Sequence, residues 1–173
     1  MDKTKATITV VCDAGPIIHL DELGCLDLLS DFQEIFLSDT VWKEIKQYRP
    51  SALSKTTIPL IRSPAKLLSN EPLLTMCRIF SLDAGETEAL SLMEQIPDAM
   101  FLTDDAAARI VAKQLGYNVH GTIGILVRAI RRSQMSLKEV LDILTEIPLK
   151  SSLYIRLSLL EDIQKKIKSS FNI

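Results

Sequence analysis

The sequence predicts an α/β fold, a three-layer α/β/α sandwich around a central parallel sheet, and two observations predict it. Short apolar runs alternate with longer amphipathic stretches along the chain, the pattern of strands connected by crossover helices. The first run, "ATITVVC", is β-branched and almost wholly apolar, as expected of a strand covered on both faces. It ends at Asp13. "PIIHLDELGCLDLLSDF" follows, with Pro16 near its start and leucines at 20, 23, 26, 28 and 29 in a one- or two-helix pattern. "EIFLS" reads as the second strand, and "DTVWKEIKQY" as a helix capped by Ser38 or Asp39. Residues 49–72, with Pro50, Pro59, Pro64 and Pro72, read as an irregular excursion holding a strand around Ile58–Arg62. Asp83 then caps the helix "AGETEALSLMEQI", and "AMFLT" is a strand. "DDAAARIVAKQLG" is a helix stopped by Gly116, "YNVH" a short strand, and "TIGILVRAIRRSQ" a helix capped by Thr122. "SLKEVLDILTEI" and "SLYIRLSLLEDIQKKI" complete the chain as helices. There are no repeats and no low-complexity segments.

The 173 residues fit one domain, 1–173, with a core over about 8–147 and a C-terminal helical extension over about 150–170. Hydrophobic residues make up 47% and charged ones 24%, which excludes a disordered chain. The net charge of −2 and pI near 5.7 leave no large basic field, which counts against a non-specific DNA coat. A nuclease that recruits its substrate through bound cations and local Lys/Arg patches remains compatible. Cys12, Cys25 and Cys77 are odd in number and sit mostly inside apolar runs, as reduced core residues do, with no CxxC pair to suggest zinc. No apolar stretch approaches the ~20 residues of a membrane span and "MDKTKATITV" is no signal peptide, so a cytoplasmic protein is expected.

In a parallel sheet flanked by helices, ligands bind outside the carboxyl ends of the strands. Asp13 ends the first strand, and Asp104 and Asp105 follow directly on "AMFLT". Glu44 and Glu86 lie near the starts of helices that begin on the same edge. Capping alone would account for any one of these acids, since a helix N-terminus gains about 0.3–1 kcal/mol from a carboxylate. Asp83 and Glu86 also form a D-x-x-E capping box. Side-chain direction adds a second reading. Glu86 continues the apolar stripe of Ala89, Leu90, Met93 and Ile96, whereas Glu88 falls on its flank. Asp104 and Asp105 precede Ala108 by four and three residues, and Glu44 sits beside Val41 and Tyr48. An inward carboxylate must be paired, protonated or metal-bound, and no matching set of inward Lys or Arg is present. A divalent cation meets the need, and oxygen-only ligands select Mg²⁺ or Mn²⁺. Phosphodiester hydrolysis is the natural chemistry of such a site.

The segments "VVCDAGPIIHLDELGCLDLL", "LSDTVWKEI", "LDAGETEALSL" and "FLTDDAAARIVAKQLGYNVHGTIGIL" resemble, in that order, the PIN-like nucleases of bacteria and archaea. They look most like the VapC-type, toxin-like subgroup, with its GE-x-EA helix, D-D segment and G-T-x-G turn. The resemblance covers about residues 8–147. It implies a PIN-like sandwich and a Mg²⁺- or Mn²⁺-dependent endoribonuclease acting on RNA, often as the toxin of a toxin–antitoxin pair and often as a homodimer. Carried over by position, it implies Asp13, Glu44, Glu86 and Asp105 as catalytic acids, with Asp13, Glu86, Asp104 and Asp105 as metal ligands. Thr103 matches the hydroxyl residue usually found before the last acid. The chain departs from the pattern in two ways: Ala14 and Gly15 replace the polar residue common after the first Asp, and the third acid is Glu86 rather than Asp. A PIN-like binding or regulatory module is therefore the alternative reading. Phosphoryl transfer to Asp13 ranks last, because Gly15 stands where a dehalogenase-like enzyme needs its second acid.

Of the remaining residues, Thr122 opens a helix whose N–H groups could hold a phosphate or be plainly capped. Arg109, one turn after Asp105, could pair with that acid, touch substrate or be merely solvated. Arg128, Arg131 and Arg132 could form an RNA-backbone patch, although a solvated face is the simpler reading. His19 and His120 read as structural, and Trp42 and Tyr48 as core or dimer contacts. The amphipathic tail "LSLLEDIQKKIKSS" fits packing on the domain, on a second subunit or on an antitoxin segment.

Overall fold

The computed structural model of the chain describes residues 8–64 and 70–171. Five parallel strands form one sheet in the order β3-β2-β1-β4-β5. They are β1 (Thr9–Cys12), β2 (Glu34–Leu37), β3 (Leu60–Arg62), β4 (Met100–Leu102) and β5 (Val119–His120). β1 lies at the centre, with Val10 opposite Ile35 of β2 on one side and Met100 of β4 on the other. The chain leaves β1 in one direction to build β2 and β3 and in the other to build β4 and β5. The crevice where the order reverses therefore lies between the carboxyl ends of β1 and β4.

Successive strand residues point to opposite faces, and two cores follow from that alternation. Val10, Cys12, Met100 and Leu102 enter one core, with side chains of α1 (Ala14–Glu22), α2 (Asp39–Tyr48), α6 (Thr122–Arg131), α7 (Leu137–Lys150) and α8 (Leu157–Ser170). Val11 and Phe101 enter the other, with α3 (Glu71–Ile79), α4 (Ala84–Gln95) and α5 (Ala106–Gln114). The predicted α/β/α sandwich with its parallel sheet is the fold observed. Among the described residues no helix is long and apolar enough to cross a membrane.

Local chemistry accounts for most boundaries. Ser38 caps α2 by accepting from Val41 N at 3.2 Å, Asp83 and Glu86 complete both halves of their capping box, and α5 ends just before Gly116. Four readings of the sequence need correction. Residues 49–72 are not simply irregular: Pro50–Ser54 form a 3₁₀ turn, and Glu71 and Pro72 open α3, a helix the sequence did not announce. Asn70 caps it, and Pro72 occupies the first turn, where its missing N–H removes no helical bond. Residues 65–69 of that stretch lie outside the described residues, as does the start of "ATITVVC". The stretch "LDLLSD", Leu26–Asp31, is a 3₁₀ turn rather than a second α-helix. The cap of α6 is Gly121 rather than Thr122, which is the first helical residue. Finally, α8 begins at Leu157; Leu153 and Ile155 are half-buried between exposed neighbours, the period-two pattern of extended chain.

One carboxylate ties this extended connection to the body. Glu22 Oε2 accepts from Ser151 Oγ at 2.9 Å, Ser152 N at 2.7 Å and Ser152 Oγ at 3.0 Å. We expect Glu22→Ala to accelerate amide exchange at Ser152 and Leu153 while exchange in β1 and β4 stays unchanged, because only the tether is removed. Unaltered exchange at those two amides would show that the α7–α8 packing alone holds the connection.

Candidate active site

Parallel strands followed by helices place strand carboxyl ends and helix N-termini on one rim, and the acids gather there. Asp13 leaves β1 and caps α1, Oδ1 accepting from Ala14 N at 2.8 Å. Its Oδ2 accepts from Thr103 Oγ1 at 3.1 Å, and the residue is only 8% exposed. Thr103, wholly buried at the end of β4, also accepts at Oγ1 from Asp105 N at 3.2 Å. One hydroxyl thus joins the loops after the two central strands. Asp105 caps α5, Oδ1 accepting from Ala108 N at 2.8 Å. From the helices, Asp83 caps α4 through Glu86 N at 2.8 Å, and Glu86 Oε2 accepts from Asp83 N at 2.9 Å. Glu44 is half-buried on α2.

These acids sense one another. Burial pushes the Asp13 carboxyl up to about 6 against the hydrogen bonds from Ala14 and Thr103, and the charges of Glu44 and Asp83 raise it further. Burial pushes Glu86 up to about 7, with Asp83, Asp105 and Asp13 adding repulsion against the bond from Asp83 N. Glu44 is raised by burial and then by Asp83. The charges acting most strongly on all three are other carboxylates. Asp13, Glu44, Glu86 and Asp105 therefore form one electrostatic unit, and Asp83 belongs to it although the sequence marked it only as a cap. The hint was its place at the same helix start as Glu86.

Asp104 points elsewhere. Oδ1 accepts from Thr122 N at 2.7 Å, Oδ2 accepts from Thr122 Oγ1 at 2.6 Å, and His19 Nδ1 lies 2.7 Å from Oδ2. It ties the N-terminus of α6 and helix α1 to the end of β4. Thr122 accordingly spends its N–H and hydroxyl on Asp104, and His19, read as structural, is Asp104's partner. The approach is so close that a Cβ at Gly121 would overlap Asp104 Oδ1 and meet the Thr103 carbonyl oxygen at 3.0 Å. Arg109 donates from Nη1 to that carbonyl at 3.3 Å. Glu88, on the flank of α4, accepts from Thr40 N at 3.1 Å and Thr40 Oγ1 at 2.7 Å.

The donor set suits a hard divalent ion, being carboxylate oxygens, with Asp13 and Glu86 pushed up to about 6 and about 7. Among the described residues, no group of three or more His, Cys, Asp or Glu side chains stands close enough to hold a metal ion.

The chain belongs to the PIN-domain family: a family model described as a PIN domain matches residues 9–169. Its five-stranded parallel sheet agrees with that nuclease-type fold. No match was found among curated proteins, and none among solved structures.

The raised carboxyls fix a sign. The unfolded chain releases these protons near their ordinary values of 3.8 and 4.5, whereas the folded chain keeps them to about 6 and 7. Stability contributed by the two acids is therefore full below about pH 4 and is lost as pH rises to about 7. Without divalent ions, Asp13→Asn is expected to stabilise the protein at pH 7.5 by about 1–3 kcal/mol, and by far less at pH 4, in urea unfolding. Asp104→Ala, which strips α6 of its polar anchor, is expected to cost about 1–3 kcal/mol. A destabilised Asp13→Asn at pH 7.5 would contradict this account of the cluster.

Proposed function

We propose that this protein is a Mg²⁺- or Mn²⁺-dependent endoribonuclease that hydrolyses RNA phosphodiesters. The observation that carries the reading is the coupled carboxylate cluster at the β1/β4 crevice, with Asp13 and Glu86 pushed up to about 6 and about 7 and carboxylates as their strongest charged neighbours. Asp13, Glu86 and Asp105 are the residues we assign to hold the ion, with Glu44 beside them. We place Asp104 outside the ligand set, since both its oxygens are engaged by Thr122 and His19.

When bound, Mg²⁺ or Mn²⁺ supplies a Lewis acid that makes hydroxide available at neutral pH and offsets charge on the phosphate. The protein's own groups do the rest. Thr103 fixes the Asp13 carboxylate through Oδ2 and the turn into α5 through Asp105 N, so two acids from two strands keep one geometry. Glu44, raised by burial and by Asp83, is suited to accept the proton of the attacking water. The N-termini of α1, α4 and α5 face the cluster with their dipoles and steady the anionic form. The biological role we assign is the toxin of a toxin–antitoxin pair, a homodimer held in check by a protein antitoxin; this rests on the resemblance of the motifs.

Asp13→Asn is expected to abolish Mg²⁺- or Mn²⁺-stimulated cleavage of a mixed RNA pool, a loss of at least about 10³-fold, with an unchanged circular dichroism spectrum. Cleavage by the variant at the wild-type rate refutes the site. Metal must displace protons from Asp13 and Glu86, so affinity measured by calorimetry is expected to rise between pH 5.5 and 7.5 with net proton release. A pH-independent affinity would place the ion elsewhere.

One observation favours a second reading, a PIN-like binding or regulatory module: no three-ligand group is assembled among the described residues. The apolar Ala14 and Gly15 beside Asp13 point the same way. A concentrated, clean preparation that shows no metal-stimulated hydrolysis of RNA or single-stranded DNA decides for it.

A further inference from the structure

β5 is an edge strand, and its last residue, His120, stands between two cavities. One, of about 420 Å³, runs from Asp104 and Arg109 to the exposed Tyr154 and the apolar Ile155 and Leu159. The other, of about 160 Å³, lies along α6 between His120 and Arg128, Arg131 and Arg132. Both share His120 and Gly124 as wall. The His120 ring rests directly on Gly124, where a Cβ would stand 3.1 Å from Nδ1. The two cavities thus make one groove along the sheet edge, leading from the arginine cluster to the rim that carries the acids.

Positive charge gathers at the α6 end of this groove. Three guanidinium groups line the smaller cavity, and the acid facing them is Asp31, which takes Arg128 Nη2 at 2.7 Å, Arg132 Nε at 3.0 Å and Arg132 Nη2 at 2.8 Å. Arg131 is exposed and has no acidic partner among the described residues. Arg128 lies over the Phe32 ring at 5.0 Å and keeps its Nε buried without a hydrogen-bond partner. Burial and the charges of Arg109, Arg128 and Arg131 hold the His120 imidazole below its ordinary value, so these groups act at one place. The imidazole there can take part in a hydrogen bond to a ligand in the groove.

We propose that the β5–α6 edge is the substrate track, in which His120, Arg128 and Arg131 hold a backbone phosphate of single-stranded RNA a short way from the scissile one. Tyr154 provides a ring on which an unpaired base stacks in the larger cavity. This rests on the nuclease reading and names how its substrate is held. The track also answers the chain's slightly acidic net charge, since the phosphate chain meets local positive charge at the edge rather than a basic surface at large.

The test is anisotropy titration of a labelled single-stranded RNA with the whole protein, in EDTA so that nothing is cut, over a range of salt. Arg131→Glu is expected to weaken binding about tenfold and to flatten the log–log salt dependence by about 0.7, the slope that one neutralised phosphate carries on a single strand. His120→Ala is expected to weaken binding several-fold. Arg78→Glu, the same charge change on α3 across the sheet, is expected to bind as the wild type does. Binding by Arg131→Glu and His120→Ala within twofold of wild type, with an unchanged salt slope, overturns the track and leaves the nuclease reading intact. A wild-type protein that binds no RNA in this assay also overturns the track, whereas the nuclease reading fails only if no RNA is cleaved in Mg²⁺ or Mn²⁺.

Discussion

The structure depends on a repulsion that the parallel sheet imposes. Each strand hands the chain to a helix on the same rim, so the aspartates that cap α1 and α5 are delivered to one crevice, and the capping pair of α4 meets them there. Each cap is favourable locally, worth about 1 kcal/mol through N–H groups that would otherwise lack partners. Collectively they are costly, because the same burial that fixes the helices removes the water that would screen the charges. The raised Asp13, Glu44 and Glu86 are the outcome of that competition. A cluster that is locally well bonded and globally over-charged has its deficit relieved by protons at low pH, and under the proposed function by a divalent ion at higher pH.

Two neighbouring aspartates show how finely the rim divides these tasks. Thr103, Asp104 and Asp105 leave β4 consecutively, yet their side chains serve three elements. Thr103 reaches Asp13 at the centre, Asp105 turns to the N-terminus of α5, and Asp104 turns to α6 and His19. Gly121 lets the α6 loop approach closely enough for Asp104 to grip it. The chemistry of a D-D pair is thus split between a group free to face a ligand and a group committed to holding the adjacent helix. Buried polar groups of the second kind are as restrictive as core packing, since losing one partner strands the other.

Much of this was legible in the residues. The strands and most helices follow from apolar runs and caps that agree with one another, and the gathering of Asp13, Glu44, Glu86 and Asp105 follows from side-chain direction and from their place at strand ends and helix starts. What escaped was long-range pairing. Nothing in the local sequence says that Asp104 serves Thr122 or that Glu88 serves Thr40, because those partners lie 18 and 48 residues away and meet only once the sheet forms. α3 escaped because Pro59, Pro64 and Pro72 read as breaks, although proline in a first turn is compatible with a helix. The extended stretch before α8 escaped because a helical apolar pattern fits "SLYIRL" as well as an alternating one does.

The separation of charge across the sheet edge gives the acids and the arginines a common logic. Carboxylates concentrate at the β1/β4 crevice, where the strand order reverses and opens a cleft, and guanidinium groups concentrate one strand further out, at β5 and α6. Had the two sets mixed, Arg–carboxylate pairs would have neutralised both, leaving neither ion-seeking oxygens nor phosphate-seeking nitrogens. Asp31 does pair with two of the arginines, but it rises from the 3₁₀ turn before β2 and takes no part in the rim. A polyanion approaching an acidic cleft is repelled unless something beside it is positive. In the proposed nuclease the arginine edge meets that requirement for the flanking phosphate and a cation in the cleft meets it for the scissile one, so the two halves of the site are complementary only when both are charged as the sheet has placed them.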